Sequence, residues 1–212
     1  MTRHVFAAAM ALCALLSSPA LASDRFDFYV LALSWSPTYC QDVSPGRAPL
    51  QCGGQRPFGF IVHGLWPQYH AGYPSFCATR FYRPRKDIVD NMLPLMPSRS
   101  LIYHQWKKHG SCSGLPAREY FDLTRRAFQA IEIPARFAKL REFTMTSPQS
   151  VEIEFRRANP ALTADAIAVT CNRRRLKEVR ICISKNLREF VTCPEVDRRA
   201  CKNPRIVMPP LR

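Results

Sequence analysis

The sequence predicts a single α+β domain, and three observations carry that expectation. Apolar, β-prone runs at 26–35, 166–171 and 178–184 read as strands, while apolar residues at helical spacing over 98–109 and 117–131 read as helices. No linker-like stretch divides the 212 residues, a length that suits one domain. Hydrophobic residues make up 47% and charged residues 22%, enough apolar surface for a core and a poor match to extended disorder. No internal period suggests a solenoid. Eighteen prolines predict a loop-rich chain.

The N-terminus reads as an export signal over Met1–Ala22. Arg3 precedes the unbroken apolar run Val5–Leu16, and Ala20-Leu21-Ala22 supplies small residues for a signal peptidase. That run is shorter than the roughly 20 residues a bilayer needs, and no later run is longer, so no membrane partner is expected. The remaining chain, from Ser23, is expected to be periplasmic or secreted. Cleavage removes Cys13 and leaves Cys40, Cys52, Cys77, Cys112, Cys171, Cys182, Cys193 and Cys201. An even count in an exported chain implies a disulfide framework. No Cys-x-x-Cys pair occurs, which makes a zinc finger a poor reading. Spacing alone leaves the connectivity open.

The elements follow in order. Phe26–Trp35 is a buried strand. Cys40–Pro57, with Pro and Gly-Gly, reads as a loop, and Phe58–Val62 as a second strand ended by the Gly and Pro of His63-Gly64-Leu65-Trp66-Pro67. Gln68–Arg85 is irregular and aromatic-rich. Lys86–Leu93 reads as a short helix stopped before Pro94. Ser98–His109 reads as a helix capped by Ser98 and ended at Gly110. Tyr120, Leu123, Ala127, Phe128 and Ile131 give Ala117–Ile131 the clearest helical spacing. Ser147-Pro148 suits a helix start, although Val151, Ile153 and Phe155 alternate as in a strand; helix is favoured. Ala166–Cys171 and Glu178–Ser184 are strands joined by a turn at Arg173–Arg175, and the tail from Cys193 reads as loop.

Charge gives the first functional hint. Thirty-one Lys and Arg face sixteen Asp and Glu, a net +15 that drops to +14 without the signal and its single Arg. A polyanion is a fitting partner, although a basic soluble protein without one has the same composition. Histidine placement says more. His63 lies in His63-Gly64-Leu65-Trp66-Pro67, and His104 and His109 lie in His104-Gln105-Trp106-Lys107-Lys108-His109-Gly110. On a helix advancing about 100° per residue, His104, Gln105, Lys108 and His109 share an arc of roughly 140°, with Tyr103 and Trp106 pointing away toward the core. The arc is expected to face outward. A solvated helix face explains Lys108 but not two histidines.

Imidazole titrates near neutrality, so two of them beside a phosphodiester can serve as general base and general acid. Lys108 supplies a point charge for phosphoryl oxygens, and the Gln105 amide a hydrogen-bond donor. RNA brings its own nucleophile, the 2′-OH, so neither a nucleophilic side chain nor a metal is required. Trp66 is placed to stack a base.

These two segments resemble the active-site motifs of the ribonuclease T2 family. His-Gly-Leu-Trp-Pro is matched at 63–67 without change. His-Glu-Trp-x-Lys-His-Gly-Thr/Ser-Cys is matched at 104–112 with one departure, Gln105 in place of Glu. The resemblance extends over most of the mature chain. It implies an α+β fold with a central antiparallel sheet flanked by helices, and bridges Cys40–Cys52, Cys77–Cys112, Cys171–Cys201 and Cys182–Cys193. It implies that single-stranded RNA is cut without a cofactor. His109 would be the base, His63 the acid, His104 a phosphate contact and Lys108 the transition-state charge. The products would be 2′,3′-cyclic phosphates, then 3′-phosphates. Gln68 and Tyr73, after the first motif, are candidates for a base pocket; His70 is expected to be structural or loop-exposed, and the protein monomeric. Three competing readings remain at this level: a silent RNA-binding protein on the same fold, a metal-dependent hydrolase built on the three histidines, and a disulfide-stapled structural protein.

Overall fold

The computed structural model describes residues 26–44, 46, 48–54 and 57–211. The segment expected to be an export signal, Met1–Ala22, lies outside them. Strand β1, Phe28–Trp35, runs through the centre of a sheet, with β2 (Phe60–Gln68) on one side and β5 (Arg175–Ser184) on the other, both antiparallel. Beyond β5 lies β4 (Ile167–Asn172), also antiparallel to it. Two short strands, β3 (Thr144–Thr146) and β6 (Ile206–Met208), pair with each other, and β6 meets β5 in one parallel bridge, Arg175 to Val207. The sheet is therefore antiparallel apart from that bridge.

β1 is apolar throughout because both of its faces are covered. Tyr29, Leu31, Leu33 and Trp35 enter the main core, while Phe28 and Val30 pack with Cys182, Cys193 and Val196 on the other face. A strand buried on both faces shows a continuous apolar run in place of alternation. The main core is closed by α3 (Lys86–Met92), α4 (Arg99–Lys108), α5 (Ala117–Gln129) and α6 (Pro148–Ala158).

Several elements stand where the sequence places them. Ser98 accepts from the Leu101 N–H as the N-cap of α4. Ser147 accepts from the Ser150 N–H, and Pro148 opens α6, which resolves the 147–158 ambiguity in favour of helix. All four disulfides have the pairing the resemblance implies.

Other elements differ from the sequence expectation. The segment from Ser36, expected to be loop from Cys40, holds two short helices, α1 (Ser36–Asp42) and α2 (Pro49–Cys52), tied by Cys40–Cys52. β2 does not stop at Val62 but continues through the first motif to Gln68. Pro67 is tolerated because β2 is the last strand of the sheet, where a missing N–H removes no ladder bond on the open side. β5 starts at Arg175, leaving Arg173 and Arg174 as the turn, with Arg173 at φ 54°. β3 was not anticipated. The tail from Cys193 holds α7 (Pro194–Arg198) and β6, elements too short to show a period.

One buried hydrogen bond ties the helical layer to β2: the Tyr120 hydroxyl donates to the Leu65 carbonyl at 2.7 Å. Tyr120→Phe leaves that carbonyl unpaired in the core. The expected cost is about 1–3 kcal/mol, read as a lower urea midpoint at unchanged slope.

Candidate active site

The site begins with an irregularity in β2. Ala32 pairs with Gly64 and the next β1 residue, Leu33, pairs with Val62, so His63 is an extra residue in a β-bulge. In a regular strand Val62 and Leu65 would fall on opposite faces. The bulge sends both into the core and sets His63 with Trp66 and Gln68 at a cleft of about 340 Å³.

Helix α4 covers that cleft. The Gln105 side chain accepts a 2.7 Å hydrogen bond from Trp66 Nε1 and is only 2% exposed. His109 ends the helix, 4% exposed, with its ring stacked on Trp66 at 5.2 Å between centroids. The expectation that His104, Gln105, Lys108 and His109 face outward together is therefore corrected. Gln105 and His109 turn inward onto β2, Lys108 is half-buried, and His104 alone of the four is exposed. The polar arc faces a cleft wall that another strand supplies, which helical spacing cannot reveal. Trp106 is buried as expected; Tyr103 is half-buried, with the Arg83 guanidinium 5.7 Å over its ring.

Two glycines make these approaches fit. A Cβ on Gly64 would lie 2.1 Å from Gln105 Oε1 and 2.4 Å from Trp66 Nε1. A Cβ on Gly110 would lie 2.5 Å from Trp106 and 2.9 Å from Tyr120. Gly110 thus serves close packing after α4, and it has no positive φ.

The imidazoles differ in their surroundings. His63 Nδ1 lies 2.6 Å from Glu178 Oε1, and Glu178 is 1% exposed. Arg180 donates to Glu178 Oε2 from Nε at 3.0 Å and from Nη2 at 2.8 Å. Burial pushes the Glu178 carboxyl up, but the His63 hydrogen bond and the charges of His63, Arg180 and Lys177 outweigh it and bring it down to about 2. His109 has no carboxylate partner among the described residues. Burial, then the charges of Lys108, His63 and His104, lower it to about 3. Its Nδ1 is buried with no hydrogen-bond partner among the described residues.

The eight residues expected from sequence to contact substrate all line this cleft: His63, Trp66, Gln68, Tyr73, His104, Gln105, Lys108 and His109. Lys108 Nζ lies 5.8 Å over the Tyr73 ring. His70 is exposed near Asp27, outside the cleft lining. Sequence reasoning missed Glu178 and Arg180 of β5, Glu195 of α7 and Arg199 just after it, which also line it. One signal was present: within 178–184, Glu178 and Arg180 alternate with core Val179 and Ile181, placing two charges on one face of a run whose other face is apolar.

The model of the ribonuclease T2 family matches residues 26–193. The chain belongs to the ribonuclease T2 family. A ribonuclease of Aeromonas hydrophila is 36% identical over 178 residues, covering 81% of this chain and 78% of that protein. A probable ribonuclease of Haemophilus influenzae is 37% identical over 120 residues, 51% of this chain and 44% of that one. Among solved structures, an RNase-related protein from Calystegia sepium shares the fold, with a TM-score of 0.70, 24% identity, and coverage of 87% of this chain and 97% of that one. As a member of this family, the chain is an RNA-cleaving endoribonuclease.

Gly64→Ala should break the Trp66–Gln105 contact and displace His109 while sparing the core. We expect a folded protein whose kcat/KM on RNA falls roughly tenfold or more, as catalytic groups misplaced by about an ångström do. Near-wild-type activity with an unchanged fold would show that this close approach is dispensable.

Proposed function

We propose that the protein cleaves single-stranded RNA by metal-independent transphosphorylation, with His109 as general base and His63 as general acid. The observation that carries this is the contrast between the two imidazoles, which border one cleft and both touch Trp66. His109 is held neutral and so can take a proton; His63 faces an ionised carboxylate that compensates the charge of a protonated ring. Divergent environments for two titratable groups assign the acid and base roles.

In this reading His109 removes the 2′-OH proton, the 2′-oxygen attacks phosphorus, and the P–O5′ bond breaks as His63 protonates the leaving 5′-oxygen. A 2′,3′-cyclic phosphate results, and water entering by the reverse route gives the 3′-phosphate. Lys108 carries charge toward the pentacoordinate phosphorane, and the exposed His104 contacts phosphate. The carbonyl oxygen of Gln105 is engaged by Trp66, which leaves its amide NH2 as an uncharged donor. Among the described residues, no three of His, Cys, Asp and Glu converge as metal ligands.

Gln68 and Tyr73 flank a base. Tyr73, 41% exposed, offers a ring face, whereas Trp66 is half-buried and already stacked on His109. Paired half-cystines support action in an oxidising, periplasmic or secreted setting, and among the described residues no helix is long and apolar enough to cross a membrane. The protein is taken to act as a monomer.

RNA and the matching DNA, each incubated with the oxidised protein and EDTA, test this reading. Cleavage of RNA only, with 2′,3′-cyclic ends, is expected; loss of cleavage on chelation would overturn metal independence. Tyr73→Ala should change the preference among homopolymers and leave the chemistry of the products unaltered. Gln105→Glu keeps an acceptor for Trp66 and should change the rate less than about tenfold; complete loss of activity would mean that a neutral amide is essential.

The pH dependence follows from His109. A base must be unprotonated, and with its value lowered to about 3 it stays so through mildly acid pH. The acid limb of kcat/KM should therefore fall off near pH 3 instead of near the usual 6.5. The same shift acts on stability: as pH falls below about 6.5 the unfolded chain takes up the proton first, so the contribution of neutral His109 is lost progressively down to about pH 3. A limb centred near 6.5 would contradict a desolvated His109.

A further inference from the structure

We infer that Glu178 and Arg180 of β5 form a positioning pair that holds His63 as the proton donor of the cleavage step; the inference rests on the general-acid reading of His63. Glu178 lies in an interior strand, opposite Ser34 on β1 and Thr170 on β4. A carboxylate this deeply buried is costly unless its oxygens are matched. Both are: Oε1 by His63 and Oε2 by Arg180.

The geometry defines what each atom does. With Glu178 ionised, His63 Nδ1 carries the hydrogen of the 2.6 Å contact, which sets the ring orientation and leaves Nε2 to hand its proton to the departing 5′-oxygen. A donor oriented by a third group is the arrangement that proton-transfer sites require. Ser34, a small residue, lies on β1 between β2 and Glu178, and the bulge at His63 brings the imidazole across from β2. Arg180 steadies the carboxylate from its other side. Its guanidinium also lies 5.2 Å over the Trp66 ring, whose stacking neighbour is His109. One side chain thereby borders the supports of both the acid and the base.

The pair acts only through His63, so its effect should follow the need for a proton on the leaving group. Wild type, Glu178→Gln and His63→Ala are compared on a dinucleotide, whose 5′-alkoxide must be protonated, and on a nucleoside 3′-(4-nitrophenyl phosphate), whose phenolate departs without a proton. Glu178→Gln keeps an acceptor for Nδ1–H but removes the charge. Its kcat on the dinucleotide is expected to fall about 10–100-fold, with KM changed no more than about twofold, and its rate on the activated ester to stay near wild type. Arg180→Lys, which keeps a charge beside Glu178 Oε2 but not both of its hydrogen bonds, should show the same pattern with a smaller loss. Equal losses on both substrates, or a loss confined to KM, would overturn the pairing and indicate a structural role. If His63→Ala is equally impaired on both substrates, the general-acid reading falls and the inference with it. If His63→Ala recovers on the activated ester while Glu178→Gln matches wild type on both, the pairing alone fails.

Discussion

Between its pairings to Ala32 and Leu33, β2 carries one residue more than β1, and that residue is His63. The surplus is held in place from both directions. Val62 and Leu65 are both anchored in the core, and the Leu65 carbonyl is bonded by Tyr120. The strand cannot slip by one position to remove the bulge without turning its apolar side chains out of the core, because side chains alternate along a strand. The cleft is thus registered by hydrophobic burial. From that register follow the places of Gly64, which admits Gln105, and of Trp66, which meets Gln105 and His109 together.

The second constraint is electrostatic. Both motif histidines border one cleft, yet among the described residues one is matched to a carboxylate and the other to nothing of opposite charge. β5 makes the difference: it delivers Glu178 to His63, while His109 sits behind Trp66 with Lys108 and His104 as its charged neighbours. Two like side chains acquire different chemistry from burial and partners, without any change of residue type. A net positive chain then favours the approach of a polyanion. Four disulfides clamp the loop-rich parts, including Cys77–Cys112, which ties the aromatic stretch before α3 to the turn that follows α4.

Much of this was legible in the sequence. Helices α4 and α6 were legible from their serine N-caps and α5 from its long helical period, because those signals are local. Strand β1 was legible from an unbroken apolar run. The eight cleft residues were legible because two short segments concentrate His, Trp and Lys, and because those segments match a family pattern. Elements of three to five residues, such as β3, β6 and α7, were not, since they are defined by partners distant in the chain. Pro67 reads from sequence as a strand end, yet β2 runs through it, because its cost depends on whether the strand lies at a sheet edge, a fact of topology.

What the sequence determined by itself is therefore the chemistry on hand: which side chains can move a proton or hold a phosphate, and roughly which helix carries most of them. The tertiary structure decided their states. It turned Gln105 and His109 inward, made His63 the surplus residue of a strand, and brought Glu178 and Arg180 from more than a hundred residues away. The reason is physical. Residue type sets what a group can do, but its charge state and orientation depend on desolvation and on neighbours within a few ångströms, and those neighbours are assigned only when the strands pair.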